Sequence, residues 1–148
     1  MITIQTLQYL IKNKLKDAEI LYQNNRYAAS IYLAGYAVEI ALKYKICKSL
    51  QFNAGFPENK QELHNYLLQL NRNNPQPLSI ELKQIRNHDL PALLFYSGAE
   101  PRVKNNLHTE WATANTWEPQ ERYKKIRIIK ARNELFLKAV KKIIKEVS

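Results

Sequence analysis

The stretch "IRNHDLPALL", residues 85–94, sets Arg86 two positions before His88. An imidazole titrates near neutrality and can move a proton, and a guanidinium fork holds a phosphate through two hydrogen bonds. Together they are the reagents of metal-free phosphodiester cleavage, a base for a 2′-hydroxyl and a cation for the phosphate. On a continuous helix, two positions turn by about 200°, which would face the pair apart. Asp89 is a good N-cap and Pro91 is tolerated in a first turn. His88 therefore reads first as part of a helix start and second as a reagent. A further pair, Arg102 and His108 in "RVKNNLH", is six positions apart. A straight helix would leave these about 240° apart as well. His108, Arg102 and His88 are the catalytic candidates, and a ribonuclease is one of the open readings.

Contact with a ligand is expected elsewhere. Arg122 sits in the turn "TWEPQERY" before the most basic segment, where helix N–H groups favour anions. Trp117 and Tyr123 flank it and could stack on a base. The alternative is that Trp117 and Tyr123 fill the end of a bundle and Arg122 pairs with an acid such as Glu39. Glu39 lies beside the apolar stripe of a helix, so it is a half-buried carboxylate in need of a partner, and a structural hydrogen bond is preferred to catalysis.

Charge points the same way. The net formal charge is +10, and residues 121–148 carry ten Lys or Arg against three Glu. At helical spacing, Arg127, Lys130, Lys138, Lys141 and Lys145 gather on one side, opposite Ile126, Ile129, Phe136, Val140, Ile143 and Val147. Such a stripe attracts a nucleic acid or nucleotide by counterion release, or is simply a solvated face. No Gly-rich phosphate loop, Cys/His cluster of metal spacing or Ser–His–Asp pattern is evident, so neither metal nor cofactor is expected. The single Cys47 is expected to be buried filler.

The elements that must position these groups are helices. Ile4, Leu7, Ile11, Leu15, Ala18 and Tyr22 recur at steps of three and four and predict a helix over about 3–24. "QNNRY" breaks it, and a second, very apolar helix follows over about 27–50. Gly35 inside it costs about 1 kcal/mol against Ala, which a close approach by a neighbour would justify. Short helices are expected over 60–70, 80–86, 90–96 and 103–115, and a last long one over about 124–147. Strand signals are nearly absent. The reading is a single domain, 1–148, of the all-α class, with four main amphipathic helices and short extra pieces. No apolar run approaches the roughly 20 residues that span a bilayer, and no signal peptide is evident. A cytoplasmic protein is expected, with no membrane partner.

"LKDAEILYQNNRYAASIYLAGYAVEIALKYKI" resembles the first helical hairpin of HEPN-domain proteins. "HDLPALL" resembles that family's His-Asp-Leu-x-x-Leu-Leu segment, and "WEPQERY" a Trp-…-Arg-Tyr element placed just before the last helix. The resemblance runs over residues 15–145. It implies an up-and-down helical bundle that commonly dimerises. Many such proteins are metal-independent ribonucleases, often toxins paired with a nucleotidyltransferase-like antitoxin or parts of defence systems. Others only bind. Active members carry Arg, about four to six residues, then His near the start of the final helix. Here Arg127 and Arg132 lie in that region, Arg132 even followed by Asn133, but no histidine follows either. His88 falls outside the family's nuclease motif. The expectation is a homodimeric module that binds RNA, a nucleotide or a partner protein. The alternative is a metal-independent ribonuclease using His108 or His88 with a basic residue from either chain. A structural adaptor is a third class.

Overall fold

The computed structural model describes residues 1–148 except Lys124, Ile126 and the side chains of Glu121 and Arg122. The described residues are mostly helical, in agreement with the all-α reading. In chain order the helices are α1 (Ile4–Gln23), α2 (Tyr27–Ser49), α3 (Lys60–Asn71), α4 (Leu82–Ile85), α5 (Leu90–Ser97), α6 (Glu100–Asn106) and α7 (His108–Ala114). A 3-10 turn, Pro119–Tyr123, precedes α8 (Lys130–Val147). Two short strands, β1 (Ile2–Thr3) and β2 (Gly55–Phe56), pair antiparallel and fix the start of α1 beside the loop after α2.

The start of α1 is capped by Thr3, whose Oγ1 accepts from the Thr6 N–H at 3.1 Å. Its stop needs a left-handed residue, and Asn25, with φ of 59°, supplies it. The chain reverses at once into α2, the central helix, which packs against α1, α5 and α8. That position suits a helix apolar nearly all round: Ile31, Ala34, Val38, Ala41, Leu42 and Ile46 are all buried. Side-chain bonds give the directions. Ser30 Oγ donates to the Ala18 carbonyl at 2.7 Å, and Gln8 Nε2 donates to Tyr44 Oη at 3.2 Å, so α1 and α2 run antiparallel. Tyr22 meets Glu134 and Lys141 meets Glu19, so α8 runs antiparallel to α1. Asn133 Nδ2, inside this junction, donates to Ser30 Oγ at 3.0 Å.

Two elements depart from expectation. The last helix begins at Lys130, not near 124, because Ile129 is extended (φ −82°, ψ 155°). Ile128 and Ile129 are β-branched and favour that conformation. Arg127 thus precedes the helix and is not part of its basic face. The segment 103–115 is broken at Leu107 (φ −132°, ψ 41°) into α6 and α7, after an Asn pair that favours caps and turns over helix interiors. Among the described residues no helix is long and apolar enough to cross a membrane.

Candidate functional site

The most constrained polar cluster is built on the middle of α2. Glu39 is 3% exposed, one turn from Lys43 on the same helix face. Its Oε1 takes Lys43 Nζ at 2.6 Å. Its Oε2 takes His88 Nδ1 at 2.8 Å, across 49 positions of sequence. A buried carboxylate without partners would be costly, and here both oxygens are used. Lys43 is itself well covered, its ammonium 5.6 Å from the centre of the Phe56 ring.

His88 is held from its own side by the turn that connects α4 to α5. Asn87 Nδ2 donates to the carbonyls of Lys83 and Gln84, closing α4, while its Oδ1 accepts from the Asp89 N–H at 2.9 Å. Asp89 then caps α5, its Oδ1 accepting from the Ala92 N–H at 3.1 Å, as its residue type and Pro91 led one to expect. Tyr36 packs edge-on against the imidazole at 6.0 Å and against Trp117 at 5.0 Å. The His88 side chain is nonetheless 55% exposed. With Nδ1–H donated to the carboxylate, the neutral ring presents the bare Nε2 lone pair outward. That is an atom able to accept a proton.

Two clefts meet at this ring, and Asn87 and His88 line both. One, of about 340 Å³, is bounded by Lys43, Phe56, Glu58 and Arg86. The other, of about 550 Å³, is bounded by Asp89, Pro91, Asn115, Trp117 and Gln120. Arg86 and His88 were expected to face apart, on the premise of a continuous helix. The helix ends at Ile85, and Arg86 has non-helical angles (φ −92°, ψ 67°). The turn therefore brings both side chains to one cleft. Arg86 is exposed and has no ion pair among the described residues, whereas Lys43 is offset by Glu39. Among the described residues Arg86 is thus a cation of this cleft without an ion pair, while Glu58 in the same lining is bound to the N-terminal amine.

The other candidate residues are placed differently. Arg102 binds Glu146 of α8, through Nε to the carboxylate and Nη2 to the carbonyl, both at 2.7 Å. His108 begins α7 and is exposed, on the far side of the break at Leu107. Trp117 is 4% exposed and donates its Nε1–H to the Tyr32 carbonyl at 3.2 Å. Its ring covers Gly35, so it is a wall of the second cleft and not a platform for stacking. The neighbour that approaches Gly35 is thus this indole, where a helix was expected. Tyr123 is 76% exposed. The Arg122 side chain lies outside the described residues, and the partners of Glu39 are His88 and Lys43. Arg127 is exposed ahead of α8. Lys130 lies 5.9 Å over the Tyr22 ring.

The basic face of α8 is interrupted. Lys141 pairs with Glu19, Lys142 with Glu110 at 2.8 Å, and Glu134, amid these cations, is bound by Tyr22. Lys138, Lys145 and Arg132 are exposed without an ion pair among the described residues. Sequence reasoning missed Lys43 as a partner of Glu39, although their spacing of four on one helix was a usable signal. It missed Arg86 as a cleft residue because helix geometry was applied across the turn that follows the short helix expected over 80–86.

Among the described residues no group of three or more His, Cys, Asp or Glu side chains is placed to hold a metal. No family model, no curated protein and no solved structure matches the chain.

Proposed function

We propose that the chain is a HEPN-type helical module that binds a phosphate-bearing polyanion, RNA or a nucleotide, at the cleft shared by Arg86 and His88. One observation carries this reading: an exposed imidazole, fixed through Nδ1 by a buried carboxylate, lines the same cleft as an arginine with no ion pair among the described residues. A phosphate there would take bidentate bonds from Arg86 and a bond from protonated His88. The likeness of "RYAASIYLAGYAVEIALKYKI" and "HDLPALL" to HEPN segments supports the up-and-down bundle and the homodimer. It also supports a setting in defence or a toxin pair with a nucleotidyltransferase-like antitoxin. The test is retention of single-stranded RNA as a function of salt. Arg86→Ala should weaken binding and flatten the log–log salt dependence by about 0.7, the value for one phosphate contact on a single strand. Unchanged binding in Arg86→Ala would remove this cleft from the interface.

A second reading, metal-independent cleavage of RNA, is favoured by the carboxylate behind His88. Such a pair keeps the imidazole in the tautomer that can take a 2′-hydroxyl proton. Cleavage of a mixed RNA pool in EDTA that disappears in His88→Ala but persists in His108→Ala would make this the leading reading. Binding without cleavage in the wild type would exclude it.

A further inference from the structure

We infer that the second cleft beside His88 is a nucleobase subsite that prefers bases bearing an exocyclic amine. The inference rests on the phosphate-site reading of the first cleft and adds what sits next to it. The two clefts share Asn87 and His88, so a ligand anchored by phosphate at Arg86 extends past the imidazole into the second. Their chemistry differs. Apart from His88, the described lining of the second cleft contains no cationic side chain, whereas Asp89 adds a carboxylate to it. It would repel a phosphate and leave that group to the Arg86 side. Its volume of about 550 Å³ is ample for a planar ring. Pro91, Trp117 and Pro119 provide apolar wall, and Asn115 and Gln120 provide side-chain amides.

The selectivity follows from which polar atoms are already used. Asp89 spends Oδ1 on the α5 cap, and its Oδ2 takes no bond from a described residue. A carboxylate oxygen accepts and cannot donate, so it suits the amine of cytosine or adenine and opposes the carbonyl oxygen that uracil carries there. The amides of Asn115 and Gln120 in the same lining can pair with the remaining edge, as is usual for unstacked RNA bases.

Oligo(C) and oligo(U) of equal length are the cleanest probes, since the two bases differ only in that amine-for-carbonyl exchange and in the N3 proton that accompanies it. Fluorescence anisotropy on the full chain should give about five- to tenfold tighter binding of oligo(C), the low end of what one base contact supplies. Asp89→Asn keeps a good helix cap through its amide oxygen and turns an NH₂ toward the cleft. It should bring the two affinities together while leaving the salt dependence unchanged. Gln120→Ala should lower oligo(C) binding without altering that dependence. Equal wild-type affinities for the two oligomers, or a preference untouched by Asp89→Asn, would overturn the subsite and leave the phosphate site standing. Absence of salt-sensitive binding to either oligomer would overturn both.

Discussion

Replacing Gly35 by Ala sets two effects of opposite sign against each other. Helix propensity favours Ala in the interior of α2 by about 1 kcal/mol. The added Cβ, however, would lie 2.2 Å from Trp117 Cδ1 and 2.3 Å from both Cγ and Nε1. Comfortable contact between carbon atoms needs about 3.5 Å, so the indole must retreat by about 1 Å or more. It has little room, being 4% exposed, and it would strain its hydrogen bond to the Tyr32 carbonyl. Overpacking of this kind costs about 1–3 kcal/mol, and the weakened bond about 1 kcal/mol more. The net loss is therefore about 1–3 kcal/mol after the propensity gain is subtracted. Urea denaturation followed by tryptophan fluorescence and far-ultraviolet circular dichroism would show a lower midpoint at unchanged m. With Trp117→Leu already present, the same substitution should become neutral or stabilising, since the steric partner is gone. A Gly35→Ala protein as stable as the wild type, or more stable, would refute the reasoning.

Other perturbations test other links. Glu39→Gln strips the anion from Lys43 and His88 in a site where the two salt-bridged side chains Glu39 and Lys43 are 4% and 13% exposed; denaturation should show a loss of about 3 kcal/mol. Asn133→Leu removes a buried amide whose Oδ1 has no partner among the described residues, and Ser30 keeps its bond to Ala18; stability measured by the same assay should be unchanged or higher, by up to about 1 kcal/mol. Burial pushes the Cys47 thiol from 9.0 up to about 12. The native state thus holds a proton that the unfolded chain releases, so this contribution to stability is complete below pH 9.0 and falls as pH rises toward about 12. Cys47→Ser should flatten that decline, and iodoacetamide at pH 9 should label Cys47 only as fast as the chain opens. Asp89→Ala, which loses the α5 cap, should cost about 1 kcal/mol.

Local periodicity made α1 and α2 legible to within a residue or so, because one face of each repeats cleanly and Asn-rich turns punctuate them. The Asp89 cap was legible for the same reason, its partner lying three residues away. Gly35 announced a close approach but not its donor, since Trp117 arrives from 82 positions later, in the connection that follows α7. Glu39 announced a need for partners, and half of the answer was local in Lys43. The other half, His88, depends on how α5 docks on α2, which no sequence spacing encodes. The separation assigned to Arg86 and His88 failed because it applied helix geometry across the end of a four-residue helix. The basic face of α8 was legible as a pattern, while the acids that pair with Lys141 and Lys142 come from α1 and α7.

The central claim, a polyanion held at Arg86 and His88, is most directly tested by titrating isotope-labelled protein with single-stranded RNA and following side-chain resonances by NMR. The account predicts that His88 Nε2 and Arg86 Nε shift together, at low RNA, before the lysines of α8. Shifts confined to Lys138 and Lys145, with His88 and Arg86 unmoved at saturation, would contradict it.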